Sequence, residues 1–367
     1  MKSSRYTPAM EKLASRPLDG DRATTESHVP ARHAPAALLA LLAEGHELSG
    51  SAIATQLGIT RAAVWKQIEH LRALGLTVHA AAGRGYRLDA PVELLDAARI
   101  LAAVSPEQHA RVGSIDVHWQ IDSTNSELAR RATKSREARA CLAEIQTQGR
   151  GRRGRSWQMP LAGGIALSFF RRFESGMASL SGLSLVAGIA VLRALADCGV
   201  QDVAGLKWPN DVVADAHKLA GILVELGGDA LGPCHAIVGI GINFRVNTTQ
   251  GASIDQPWTD LAKLTGDRIP GRNLLAGRIL SRVAEALDLF ASAGFAAFER
   301  EYAGYDALFG RSITVASGGD RWIGTARGVN SRGALRVERD GTEIELDSAD
   351  VSVRDAVADR AGKQRSG

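Results

Sequence analysis

The chain has 367 residues, 45% of them hydrophobic, with 44 Lys and Arg against 40 Asp and Glu, a formal net charge of +4 and a pI near 9.1. That is enough apolar material for two or three domain cores and too mild a charge for any nucleic-acid role that does not rest on a local patch. No run approaches the roughly 18 apolar residues of a membrane helix, the N-terminus lacks a secretory core, and Cys141, Cys198 and Cys234 form neither a CxxC pair nor an even framework, so the expectation is a cytoplasmic protein with reduced, buried thiols and no membrane partner.

Residues 1–33 are rich in Ser, Pro, Arg and Thr without hydrophobic period, which predicts a disordered leader. A short apolar helix is predicted over Ala36 to Ala43. Ser49 then precedes Ala52, Ile53 and Leu57 at helical spacing up to Gly58, and Thr60 is a suitable N-cap for a second helix carrying Val64, Ile68, Leu71 and Leu74, closed by Gly75. Two helices around the Leu57-Gly58-Ile59 turn read as a helix-turn-helix, with Arg61, Trp65 and Lys66 facing outward. The segment Leu76 to Leu88 reads as two short strands around Gly83-Arg84-Gly85, the wing of a winged helix spanning 34–90. Thr60, Arg61, Trp65, Lys66, Arg84 and Arg87 are its expected DNA contacts, phosphate contacts giving affinity and base contacts specificity. The competing reading is a helical dimerisation or regulatory module that has lost DNA binding.

Beyond Pro91, Leu94, Leu95, Ala98 and Leu101 are expected on one face of a connecting helix. Ile115 to Ile121 alternates as a strand and ends in Asp122-Ser-Thr-Asn125, where a hydroxyl or amide can cap a helix over Ser126 to Ala132 or reach a polar ligand. The stretch Gln146 to Trp157 alternates Arg150, Arg152, Arg153 and Arg155 with Gly149, Gly151 and Gly154, and strand-like runs, Cys141 to Ile145 and Gly164 to Phe170, flank it. Glycine lets the backbone wrap closely while guanidinium forks converge on an anion, so a phosphate or carboxylate site is inferred, with a solvated basic loop or nucleic-acid arm as the alternative. The spacing fits neither a Walker loop nor a dinucleotide fingerprint.

A core helix over Leu180 to Ala196 leads to Leu206-Lys-Trp-Pro-Asn-Asp211 and then Lys218-Leu-Ala-Gly-Ile-Leu-Val-Glu225. Pro209 fixes the backbone beside Trp208, and Lys207 is expected as an inward point charge; Asn210 and Asp211 read equally as a simple turn. Ala236 to Asn243 reads as a buried strand whose Gly239 and Gly241 leave room for a flat ligand, with Asn243 placed to read a heterocycle edge. Leu275, Ile279, Val283, Leu287 and Phe290 give a scaffold helix one buried stripe. From 309 to 357, strands at Ser312–Ala316, Trp322–Ala326, Ala334–Glu338 and Thr342–Leu346, with turns at Gly318-Gly319, Ser331–Gly333 and Asp340-Gly341, predict a small SH3-like barrel, and 358–367 a flexible tail.

Three motifs in order, Gly149 to Trp157, Lys207 to Asp211 with Lys218 to Glu225, and Gly239 to Asn243, give the chain a resemblance to bifunctional biotin protein ligases of the biotin operon repressor type over about residues 36–355. The resemblance implies an α+β chain with an N-terminal winged helix-turn-helix, a central mixed-sheet biotin/lipoate ligase-like catalytic domain over 91–308 and the SH3-like C-terminal domain. It implies ATP, biotin and Mg²⁺ as ligands, formation of biotinyl-5'-AMP, transfer to a lysine of a biotin carboxyl carrier protein domain, operator DNA of biotin genes as a partner, and ligand-linked homodimerisation. By the same resemblance, Lys207, Arg152 and Arg150 are catalytic. Ser123, Thr124, Asn125, Gln146, Arg150, Arg152, Lys207, Gly239 and Gly241 hold biotin, and Arg153, Arg155, Trp157, Lys218, Asn243, Trp258 and Arg354 hold the adenylate. Asp211 binds Mg²⁺ or orients the incoming lysine. The loop Gly149 to Trp157 is expected as a lid that orders over the adenylate and keeps water out. Two other readings are a lipoate or octanoyl ligase or transferase, and a ligand-sensing transcription factor without turnover. The leader has no counterpart in the resemblance.

Overall fold

The computed structural model describes residues 34–81, 83–132, 139–246, 251, 254, 256–317, 320–347 and 351–355, the last of these by backbone alone. The leader, the tail and the Gly318-Gly319 turn expected from the sequence lie outside the described residues.

Helices α1 (Ala34–Leu42), α2 (Gly50–Leu57) and α3 (Arg61–Ala73) are followed by an antiparallel hairpin of β1 (Val78–Ala81) and β2 (Gly85–Leu88). The capping chemistry read from the sequence is present. Ser49 Oγ accepts from Ala52 N at 3.1 Å, Thr60 Oγ1 accepts from Ala63 N at 3.2 Å, and Gly58 ends α2 in the left-handed region at φ 64°. Val64, Ile68 and Leu71 are buried, while Leu74 caps the helix and is only partly covered. This small core does not close on itself: Trp119 and Leu161, both from the central unit, belong to it.

The connector differs from expectation. Leu94 and Leu95 precede α4 (Ala97–Ala103) because the Asp96 carboxylate caps that helix by accepting from Arg99 N at 2.8 Å. Ile100, and not Ala98 or Leu101, is its buried residue. Leu95 N instead donates to the Glu144 carboxylate at 2.6 Å.

The central unit is a seven-stranded mixed sheet. In chain order its strands are β3 (Ser114–Ile121), β4 (Arg139–Gln146), β5 (Gly164–Phe173), β6 (Gly205–Lys207), β7 (Asp211–Ala214), β8 (His217–Gly228) and β9 (Cys234–Asn243). Their spatial order is β3-β4-β5-β9-β8-β7-β6, parallel only between β3 and β4. Helix α5 (Thr124–Ala132) starts two residues earlier than expected, and α6 (Leu183–Asp197) starts later because Gly182 at φ 80° precedes it. Scaffold helix α7 (Arg272–Ala293) packs on α6 and buries the expected stripe from Leu275 to Phe290.

Arg272, at the start of α7, forms a buried junction. Its guanidinium is 1% exposed and donates to Glu144 Oε2 at 2.9 Å, to the Gly164 carbonyl at 2.8 Å and to the Glu93 carbonyl at 2.6 Å. A charge so far from water needs partners; here β4, β5 and the connector supply them to the two terminal nitrogens, while Nε makes no hydrogen bond.

The C-terminal unit comprises β10 (Ser312–Ser317), β11 (Asp320–Val329), β12 (Leu335–Arg339), β13 (Thr342–Leu346) and β14 (Val351–Asp355) in one antiparallel sheet, order β13-β12-β11-β10-β14. Its interior residues Ile313, Val315, Ala326, Leu335 and Val337 belong to the same hydrophobic core as the central unit. Trp208, 1% exposed, donates from Nε1 to the Gly333 carbonyl at 3.1 Å and pins the two together. All three cysteines are free. Burial pushes the Cys141 thiol up to about 12 and Cys198 up to about 11, and Cys234 is raised for the same reason, so none is a ready nucleophile.

Candidate active site

The site forms where the end of β3, the loop after β4 and the strands β8 and β9 meet. At Gln146 the chain leaves β4 and folds into a hairpin. Trp157 N donates to the Gly149 carbonyl at 2.8 Å, Gly151 N donates to the Arg155 carbonyl at 2.7 Å, and Arg152–Gly154 forms one helical turn. Arg153 at its tip has φ 59°, an uncommon conformation for a side-chain-bearing residue. The loop therefore has its own backbone hydrogen bonds.

That hairpin directs its arginines to different places. Arg150 Nη2 donates to Ser126 Oγ at 3.1 Å and to Glu225 Oε2 at 3.0 Å. Arg152 Nη1 approaches Asn210 Oδ1 at 3.4 Å, while Arg153 and Arg155 are exposed. Trp157 lies back over β9: a Cβ added at Gly241 would sit 2.6 Å from Trp157 Cζ2, and one at Gly239 would sit 3.0 Å from Asn125 Cγ. The space expected for a flat ligand over these two glycines is thus filled by the Trp157 indole and the Asn125 amide. Glycine is required there because two side chains approach the backbone closely.

The second motif is a turn whose side chains also work. Asn210 N donates to the Lys207 carbonyl at 3.2 Å, and its Nδ2 donates to the Ile222 carbonyl at 2.7 Å. Asp211 opens β7 and forms an ion pair with Lys218 at 2.7 Å, the two side chains being 22% and 17% exposed. Lys218 Nζ also stands 5.6 Å from the Trp157 ring centroid. Asp211, expected to bind Mg²⁺ or to orient the incoming lysine, is held by Lys218. Mg²⁺ carried on nucleotide phosphates takes only one or two protein carboxylates, so a single carboxylate here fits it although no group of three His, Cys, Asp or Glu side chains forms a metal cluster among the described residues.

At the end of β9, Asn243 is 6% exposed and its Nδ2 donates to the Lys218 carbonyl at 3.2 Å and the Thr259 carbonyl at 3.0 Å. Both amide hydrogens are committed to backbone, so Asn243 cannot offer a heterocycle donor and acceptor together; it ties β8 to the 257–259 segment. Trp258 Nε1 donates to the Gly251 carbonyl at 3.1 Å and Lys263 Nζ lies 3.5 Å from its ring centroid. Lys207 ends β6, half-buried. Arg354 lies on β14 opposite Thr314; its side chain is outside the described residues.

Ser123, Thr124 and Asn125 are all at most 4% exposed. Ser123 Oγ accepts from Ser126 N at 3.5 Å, a long cap. Thr124 N donates to Gln146 Oε1 at 2.9 Å. Beside them Arg130, by hydrogen bonding, holds the Asp122 carboxyl down to about 2. The expected residues missed two members of this cluster: Glu225, which accepts from Asn125 Nδ2 at 2.7 Å, and Ser168, fully buried in β5, whose Oγ is 2.7 Å from Thr124 Oγ1 and 2.5 Å from Asn125 Oδ1. A lone hydroxyl inside the apolar run Gly164 to Phe170 was the available signal, since a buried polar group requires a partner.

On the DNA side, Arg61, Trp65 and Lys66 are exposed along α3, Trp65 at 55%, and Arg84 and Arg87 are exposed on the hairpin. Thr60 is exposed and its hydroxyl caps α3 by accepting from Ala63 N.

Comparison with known proteins agrees with this layout. The biotin/lipoate A/B protein ligase family model matches residues 117–243, a helix-turn-helix domain model matches 36–87, and the biotin protein ligase C-terminal domain model matches 308–354. The bifunctional ligase/repressor BirA of Salmonella typhimurium is 37% identical over 324 residues, 88% of this chain and 98% of its own length. The Escherichia coli protein of the same description is 37% identical over 322 residues, 88% of this chain and 98% of its own. A biotin protein ligase from Aquifex aeolicus, solved with biotin and ATP, is 28% identical, superposes with a TM-score of 0.56 and matches 66% of this chain and 99% of its own.

Proposed function

The chain belongs to the family of bifunctional biotin ligase/repressors, and from that premise we propose that it activates biotin with ATP and passes the biotinyl group to one lysine of a biotin carboxyl carrier domain. A biotin carboxylate oxygen attacks the α-phosphorus and pyrophosphate leaves; the carrier lysine then attacks the acyl carbon and AMP leaves. The observation that carries this reading is that the loop after β4 meets the β6–β8 segment through charged side chains: Arg150 on Glu225, Arg152 at Asn210, and Lys218 against Trp157.

Carboxylate and phosphate repel, so the first step needs positive charge fixed before they meet. Arg150 and Arg152 approach from the loop, and Lys218, oriented by Asp211, approaches from β8. Lys207, across the Asn210 turn, adds a second lysine. Arg153 and Arg155 at the loop tip and Trp258 beyond Asn243 serve the nucleotide end, and Arg354 its phosphates. Asn243 contributes by holding the Lys218 backbone. Mg²⁺ is the counter-ion of ATP in the assay, and no step is assigned to it. The loop 149–157 acts as a lid that keeps water from the anhydride.

The winged helix gives the second half of the function, repression at operator DNA read through α3 and the hairpin, with a ligand-linked homodimer as the binding species. Carrier domain incubated with biotin, ATP and Mg²⁺ is expected to gain the mass of one biotinyl group. An octanoyl or lipoyl adduct from the matching acids would assign the related acyltransfer, and no adduct would leave a ligand sensor. Lys218→Ala should lower pyrophosphate release by about 10²–10³-fold; an undiminished rate refutes its placement.

A further inference from the structure

The turn that carries Lys207 and Asn210 is held from two sides. Within the sheet, Asn210 Nδ2 donates to the Ile222 carbonyl at 2.7 Å and Ile222 N donates to the Asn210 carbonyl at 2.9 Å. The other side is met by elements outside the sheet. Ser184 Oγ of α6 donates to the Pro209 carbonyl at 2.8 Å, and Trp208, 1% exposed, donates from Nε1 to the Gly333 carbonyl of the C-terminal unit at 3.1 Å. An indole N–H buried so deeply needs an acceptor. The seat of Trp208, and with it that of its neighbour Lys207, therefore depends on where the 330–334 turn presents the Gly333 carbonyl.

Asn330 builds that turn, which joins β11 to β12. Its Oδ1 accepts from Arg332 N at 2.9 Å and from Ala334 N at 3.0 Å. Its own N donates to the Ala334 carbonyl at 2.9 Å, and its carbonyl accepts from Gly333 N at 2.9 Å. One side-chain oxygen thus fixes the backbone on both sides of Gly333. Gly333 has φ 81°, and a Cβ there would lie 2.8 Å from Gly182 Cα, so glycine is what lets the turn seat against the start of α6. Ser181 Oγ closes the seat by donating to the Arg332 carbonyl at 2.9 Å.

We propose that Asn330 is a positioning residue for adenylation, acting through the Gly333 carbonyl and Trp208 on the turn that carries Lys207. The inference rests on the biotin-activating reading above and deepens it, since it gives the C-terminal unit a part in the first half-reaction through a contact behind the site. The effect falls on the rate of chemistry. A cation displaced slightly from the place where charge builds loses its value in the transition state, whereas the ground-state contacts made by β3, β4 and the 149–157 loop stay where they are.

The test uses the full-length protein and measures single-turnover pyrophosphate release at saturating biotin and ATP, the stoichiometry and affinity of biotin binding, and backbone hydrogen exchange over residues 206–213. Asn330→Ala is expected to slow release about 10-fold or more per bound biotin, with biotin affinity little changed and exchange faster in 206–213 than in β4 or β9. Asn330→Asp keeps an oxygen for both N–H groups and should restore rate and exchange together. Trp208→Phe removes the indole N–H, and adding Asn330→Ala to it should slow release no further, because both act through one hydrogen bond. A merely structural role would lower the number of biotin sites and speed exchange throughout, with the rate per bound biotin unchanged. That result, an Asn330→Asp variant as slow as Asn330→Ala, or losses that multiply in the double variant would overturn the inference. Absence of biotin-dependent pyrophosphate release in the wild type would instead overturn the function on which it rests, and exchange over 206–213 would then decide the contact by itself.

Discussion

Arg272→Ala tests the buried junction between the connector, the sheet and α7. The substitution removes a guanidinium that is 1% exposed and leaves Glu144, 3% exposed, with a single remaining donor, Leu95 N at 2.6 Å. Two carbonyls, Gly164 and Glu93, lose the donors they had at 2.8 and 2.6 Å. Removing one partner of a buried pair costs about 3–5 kcal/mol, because the other charge stays buried. At about 2–4 °C per kcal/mol for a unit of this size, that lowers Tm by about 6–20 °C. Urea unfolding followed by Trp fluorescence, with calorimetry beside it, reads the loss. Glu144→Leu with Arg272→Met should recover most of it, since the penalty lies in the stranded charge and not in the missing pair. A loss under about 1 kcal/mol for Arg272→Ala, or a double variant as unstable as the single one, would falsify the claim that this ion pair holds the junction.

Three other outcomes follow from the geometry. Gly241→Ala places a methyl against the Trp157 indole; a rigid ring cannot yield by a bond rotation alone, so adenylation should fall at least 10-fold with the fold retained by circular dichroism, and wild-type kinetics would show that Trp157 does not rest there. Arg61→Ala and Arg84→Ala should weaken operator binding and each reduce the salt slope by about 1 if they meet phosphate, while biotin-dependent pyrophosphate release is unaffected; equal loss of catalysis would mean the winged helix serves the catalytic site. The Asp122 carboxyl, held down to about 2 chiefly by its hydrogen bond from Arg130, contributes stability that is present above its unfolded value near 3.8 and is lost as pH falls toward 2. Asp122→Asn should flatten the stability profile in that window, and an unaltered acid limb would remove Asp122 as a source of it.

Local rules made much of the molecule legible. Ser49, Gly58 and Thr60 announce the two helices of the winged unit because capping is a short-range matter of one hydroxyl and one positive φ. The stripe Leu275 to Phe290 announces α7 because its period is that of a helix. Residue type alone points to the arginine-glycine loop as a candidate anion site and to Lys207 as an inward charge; Lys218 enters only through the resemblance.

Which groups meet, however, depends on strands far apart in sequence. Lys218 is a placed cation because β7 pairs with β8 and sets Asp211 beside it. Gly239 and Gly241 serve Asn125 and Trp157 because α5 and the 149–157 loop fold back over β9. Asn243 is a strut because the 257–259 segment runs against β8. Sequence supplied the identities of donors, acceptors and charges and the local turns that present them. The sheet order decided their partners, because hydrogen bonding and ion pairing act over about 3 Å and no residue carries in itself the distance to a strand 100 positions away.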